Sequence, residues 1–216
     1  MTPSATATSR DAILEAALRC FASKGYAATT IKDLASEAEV NSALLYYYFA
    51  DKETLYRETL RHVARQLGEA AGSRLEDDVP PDEAVRRFVE QQAEFLIAHQ
   101  HVPRLLLREM LEHTGRHAES AIVSLIGTVF KALCDVIRRG QQQGVFRDDV
   151  DPRYAAISTV SLVAYFVIAR PIVGIALGEG LSGPTEARTR DYGRHAAEFA
   201  LVGLGRQSRA NPGGRR

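Results

Sequence analysis

Apolar positions recur along the chain at helical spacing from end to end. No alternating run of six residues and no Asn-Gly or Asp-Gly hairpin signal interrupts them. The pattern predicts an all-α protein. A first helix is expected from about Ser9 to Lys24, with Ile13, Leu14, Ala17, Leu18 and Phe21 on one stripe, stopped by Gly25 with Tyr26 folded back over the last turn. Short helices follow at about Ile31 to Ala38, where Thr30 and Asp33 stand at capping-box spacing, and at about Ser42 to Phe49. A long helix capped by Asp51 runs from about Lys52 to Arg74 with Leu55, Leu60, Val63 and Leu67 on its stripe.

The stretch Asp77 to Pro81 is a turn by composition. Beyond it, helices are expected at about Asp82 to His99, Val102 to Glu112, His117 to Gln143, Asp151 to Leu177 and Thr185 to Arg206. Pro171 should kink the fourth of these or end it near Arg170. This divides the chain into a disordered arm (1–8), an N-terminal three-helix head (9–51), a larger C-terminal helical domain (52–206) that takes in the linking helix, and a disordered tail (207–216).

Composition narrows the picture less than periodicity does. With 27 basic and 27 acidic residues in 216, the whole chain gives no electrostatic hint of a polyanion partner. Cys20 and Cys134 lie in apolar-periodic segments without metal-ligand spacing and read as reduced core thiols. The longest uncharged run, Tyr154 to Ala169, is shorter than the roughly 20 residues a bilayer span needs, so a buried helix and a cytoplasmic protein are expected.

The chemistry concentrates in Val40 to Ala50, eleven residues without a charge that include Tyr46, Tyr47 and Tyr48. On a helix, Leu45, Tyr48 and Phe49 share one face, and Ala43, Tyr46 and Tyr47 the opposite one. Leu34, Ala35, Ala38, Val40, Leu45 and Tyr48 have the offsets of two short helices crossing at a tight turn, the helix-turn-helix, whose second helix can enter a major groove. On the outer face, Asn41, Ser42, Tyr46 and Tyr47 can hydrogen-bond phosphates without formal charge. Lys32 and Lys52 flank them, and Ala43 and Leu44 suit contact with a thymine methyl.

From Ile13-Leu14 through Phe21, Gly25, Thr29-Thr30, Leu34-Ala35 and Leu45-Tyr46-Tyr47-Tyr48-Phe49 to Lys52-Glu53, the chain resembles the DNA-binding domain of the TetR family of transcriptional regulators. The resemblance implies phosphate contacts from Thr30, Tyr46 and Lys52, with Thr29 beside them in the motif, and a groove face of Ser42, Ala43, Leu44 and Tyr47. It also implies a C-terminal domain that binds a small effector and dimerises through its last two helices, hence a ligand-responsive repressor acting on a palindromic operator. The chain departs from that pattern at Glu39, where the family has glycine; a left-handed non-glycine residue costs about 1 kcal/mol or more. A helical module that has lost specific DNA binding is the alternative, and Glu39 is the feature that favours it.

Phe95, Met110, Phe130, Tyr165 and Phe166 are candidate effector contacts on separate helices. No nucleophile, base and orienting group stand together, so neither an enzyme nor a cofactor is expected. Gly178 to Gly183 spells GxGxxG, but an apolar helix precedes it and Pro184 follows, so it reads as a flexible linker. His99, His101, His113 and His117 cluster without a metal-protease frame, and Gly115 interrupts the last pair; surface or pocket-lining histidines and no metal site are expected.

Overall fold

A computed structural model describes residues 5–72 and 79–205. Among these the protein is helical, and pairing of extended backbone is limited to an isolated bridge between Phe146 and Gly205. The head comprises α1 (Ala5–Ala28), α2 (Ile31–Glu37) and α3 (Ser42–Tyr48), followed by the linking helix α4 (Lys52–Gly72). The larger domain adds α5 (Pro81–Ala98), α6 (His101–His113), α7 (Glu119–Leu125), α8 (Lys131–Gln142), α9 (Pro152–Ile168), α10 (Arg170–Ala176) and α11 (Glu186–Leu204).

Helix α1 begins at Ala5, so residues 5–8 of the expected disordered arm are helical; residues 1–4, residues 73–78, over which the linking helix was expected to reach Arg74, and the tail from Arg206 lie outside the described residues. Its regular turn breaks at Gly25, whose φ of 81° is open to glycine and strained for other residues. Ile13, Leu14, Ala17, Leu18 and Phe21 are all buried, against α4 and α6. Phe21, Tyr26 and Tyr56 form one aromatic cluster with ring centroids 4.8–6.2 Å apart.

The turn between α2 and α3 is regular. The Val40 N–H donates to the Ala35 carbonyl (3.0 Å) and the Glu39 N–H to that of Ser36 (3.2 Å). These are the paired bonds of a Schellman cap, with Glu39 in the left-handed position at φ 55°. The strain expected at Glu39 is therefore present, within an otherwise regular turn.

Helices α7 and α8 form one continuous run joined by a π turn at Ile126–Phe130. By length and composition alone Glu119–Gln142 could cross a bilayer; its inner side packs on α4, α5 and α9. Pro171 ends the next helix as expected: α9 stops at Ile168 and α10 leaves at an 83° bend. The GxGxxG segment connects α10 to α11 as a closed loop rather than a slack linker. Gly178, Gly180 and Gly183 all have positive φ, and Arg170 donates to the carbonyl of Pro184 at 2.8 Å. Helices α5 and α11 pack closely at Gly193, where a Cβ would lie 2.7 Å from that of Ala93.

Candidate DNA-binding face and ligand pocket

The head presents α3 as the periodicity predicts. Leu45 and Phe49 are 2% and 3% exposed, whereas Tyr46 and Tyr47 are 55% and 76% exposed. Tyr47 packs edge-on against half-buried Tyr48 at 5.1 Å, which limits the rotamers of an otherwise free ring. Asn41 caps α3, its Oδ1 accepting the Leu44 N–H at 2.8 Å, which leaves the amide donors exposed alongside Ser42 and Ala43. Leu44 is half-buried.

Thr30 and Asp33 make a complete capping box at the start of α2: Thr30 Oγ1 accepts from the Asp33 N–H (3.1 Å) and Asp33 Oδ2 from the Thr30 N–H (2.9 Å). Lys24 donates to the other Asp33 oxygen at 2.7 Å and, with the Thr30 bonds, holds that carboxyl well below the usual carboxylate range. Lys24 and Arg19 are thus neutralised by Asp33 and Glu37. Lys32 is exposed and has no ion pair among the described residues.

Two of the candidates are engaged inside the protein. Thr29 is 1% exposed and its hydroxyl donates to the Gly25 carbonyl at 2.6 Å, so it is a buried strut of the α1–α2 connection and not a phosphate ligand. Lys52 Nζ donates to the carbonyls of Tyr26 and Thr29, both at 3.0 Å, and sits 4.5 Å from the centre of the Tyr26 ring. Two of its three donors clamp the head, leaving one uncommitted among the described residues.

A cavity of about 220 Å³ opens in the larger domain between α4, α5, the π turn and α9. Its wall is almost wholly apolar: Leu67 and Ala71 from α4, Phe88 and Phe95 from α5, Val129 and Phe130 from the π turn, and Val160 from α9. The π turn widens the helix at this wall, and such turns recur at functional sites. Gln92 supplies a polar handle: its Nε2 donates to the Val160 carbonyl at 3.1 Å, while its Oε1 is buried without a partner among the described residues.

Of the five candidate effector contacts, Phe95 and Phe130 line this cavity. The other three do not. Met110 and Tyr165 are 42% and 62% exposed, and Phe166 stacks on Tyr192 at 3.9 Å. Leu67 and Gln92 also line the cavity and were not legible in the sequence, because a helical stripe does not reveal which of its members faces a void.

None of the four histidines lines this cavity: His117 is buried, His99, His101 and His113 are half-buried, and His101 borders two surface recesses instead. His99 stacks on Phe95 at 4.3 Å, and burial, followed by Arg104, pushes the His101 imidazole down. His113 and His117 lie where α6 meets the head, their rings 5.7 and 5.5 Å from that of Tyr26. Beside them sits Glu109, wholly buried. Glu109 accepts from the Tyr56 hydroxyl (3.0 Å) and the His117 backbone N–H (2.7 Å). Burial, then the adjacent Glu109, raises the Tyr56 phenol above its ordinary value.

This head and this domain match two family models. Residues 13–59 match the bacterial regulatory proteins of the tetR family, and residues 81–198 the tetracyclin repressor-like C-terminal domain. The chain belongs to the TetR family of transcriptional regulators. It is 29% identical over 199 residues to the HTH-type transcriptional repressor NicS of Pseudomonas putida, covering 91% of this chain and 92% of that one. The crystal structure of the TetR family regulator PfmR from Thermus thermophilus aligns over 90% of this chain and 99% of that one, with a TM-score of 0.70 and 29% identity. FadR from Bacillus subtilis, in complex with stearoyl-CoA, shares the fold at a TM-score of 0.69 and 15% identity, over 90% of this chain and 98% of that one. This TetR-family chain is accordingly a helix-turn-helix transcriptional regulator.

Proposed function

We propose that this regulator is a cytoplasmic repressor that binds a palindromic operator as a homodimer and is released by an apolar small molecule. The observation that carries the reading is the exposed, uncharged hydrogen-bonding face of α3, with Tyr46, Tyr47, Asn41 and Ser42 beside the unpaired Lys32. Such a face positions on phosphates by the neutral donors of Asn41 and Tyr46 and turns Ser42, Ala43, Leu44 and Tyr47 to base edges.

Pairing of two chains is supported by α9 and α11, which pack together yet expose Ile157, Tyr165, Phe199 and Val202. Residues of this kind contribute to apolar dimer interfaces. A single seven-residue recognition helix reads only a few base pairs, so two heads about 34–36 Å apart, or a multiple of that, give a specific site.

The apolar cavity with the open Gln92 acceptor favours a largely hydrocarbon effector bearing a donor group. A structural neighbour that holds stearoyl-CoA is in keeping with that class. Helix α4 joins the two sites: Lys52 clamps the head at one end and Leu67 and Ala71 line the cavity at the other. A ligand that prefers one placement of this helix would shift the spacing of the heads. The alternative, a module without DNA binding, drew on Glu39, and the regular Schellman turn at that residue removes its ground.

Selection of bound sequences from a random duplex pool tests the reading. Enrichment of a palindrome is the expected result; no enrichment at low salt contradicts it.

A further inference from the structure

The side chains at the head–core junction are arranged for more than a hydrogen-bond network. We propose that Glu109, His113 and His117 form a binding site for a divalent transition-metal ion of the zinc class. Each offers one ligand atom, and the three atoms lie within 4.8 Å of one another. Two imidazoles and a carboxylate form a borderline donor set suited to zinc and its neighbours. A tetrahedral ion with bonds of about 2.0–2.2 Å holds its ligands roughly 3.3–3.5 Å apart. His117 Nδ1 and Glu109 Oε2 already stand 3.3 Å apart. Closing the third ligand onto them takes a shift on the order of 1 Å.

The hydrogen bonds present leave one part of the cluster without a role. Tyr56 and the His117 backbone satisfy the Glu109 oxygens, but His113 Nε2 is buried and has no hydrogen-bond partner among the described residues. A buried ring nitrogen with no partner is costly, and coordination would satisfy it. The backbone that brings it there is specific. Helix α6 ends at His113; Thr114 and Gly115 take left-handed conformations at φ 54° and 79°, and the chain turns so that the His117 ring meets that of His113 at 4.7 Å. Gly115 therefore builds the pair rather than spoiling it.

The surroundings fit an ion held by three protein ligands and one further oxygen. The Tyr56 hydroxyl orients the carboxylate from α4, and the Tyr26 ring closes the side toward α1. Among the described residues Arg116 contacts the cluster as a cation, 3.4 Å from His117 Nε2; it is exposed and free to swing outward. Coordination through His117 Nδ1 puts the remaining ring proton on Nε2, which displaces Arg116 from that edge. The ligand set is separate from the apolar cavity, none of whose lining residues it shares.

The test uses full-length, tag-free protein stripped with chelator and dialysed, titrated with zinc in competition with a chromogenic zinc indicator. One zinc per chain is expected. H113Q, which removes a side chain with no hydrogen-bond partner at Nε2, should weaken binding at least about tenfold, and Y56F about 10–100-fold through the lost orienting bond. H195Q, an exposed histidine on α11, should leave it unchanged. Zinc should raise the thermal midpoint of the wild type and not that of H113Q. Absence of stoichiometric binding, or equal binding by the wild type and H113Q, overturns the proposal. Neither result bears on DNA recognition, which is assayed without added metal.

Discussion

Replacing Glu39 with glycine should stabilise the protein. Glu39 occupies the left-handed position of the α2 cap at φ 55°, where an L side chain costs roughly 1–2 kcal/mol. Glycine removes that cost but brings about 0.5–1 kcal/mol of extra unfolded-chain entropy. Nothing else is lost: the Glu39 side chain is exposed, makes no ion pair among the described residues, and both cap bonds come from backbone groups. The net gain centres on about 0.75 kcal/mol, within a range of about 0–1.5 kcal/mol. For a chain of this size, that raises the thermal midpoint by about 1–4 °C. E39A serves as control, because alanine keeps the left-handed cost and should stay within about 0.5 kcal/mol of wild type. Thermal and urea unfolding of the three proteins decide the matter. A glycine variant no more stable than E39A would refute the argument that the turn carries conformational strain.

Tyr56→Phe should cost about 1.5–3 kcal/mol in urea unfolding, since it deletes a donor to a wholly buried carboxylate. In an E109Q background the same change should cost measurably less. Gly193→Ala should destabilise by about 1–3 kcal/mol because its Cβ would fall 2.7 Å from that of Ala93, and adding Ala93→Gly should recover part of the loss. Lys32→Ala should weaken operator binding similarly across sequences and reduce the slope of log affinity against log salt by about 1, as measured by titration at several salt concentrations.

The head was legible because local rules decide it. Thr30 and Asp33 stand at capping-box spacing, Pro171 forbids continuation of α9, and the offsets of Leu45, Tyr48 and Phe49 mark a single buried face. The larger domain was less so. Phe166 and Phe95 have the same helical signature, yet one stacks on Tyr192 and the other borders a void, a distinction made by packing across helices distant in sequence. Thr29 shows the same limit in reverse. Its place in the motif suggested a DNA contact, and only the fold shows its hydroxyl turned inward to Gly25. The Glu109 cluster could not be found from spacing either, because two left-handed residues after α6 bring His117 back to a carboxylate on the preceding turns.

On the proposed reading, the exposed tyrosine face of α3 grips DNA. The direct measurement is fluorescence anisotropy of the selected duplex titrated with wild type and Tyr47→Ala, a change at a 76% exposed ring that leaves the core intact. A loss of about 1–3 kcal/mol in binding, roughly 5- to 150-fold, on the selected sequence with little change on random DNA is the expected result. Equal affinity of the two proteins for the selected duplex would contradict the account.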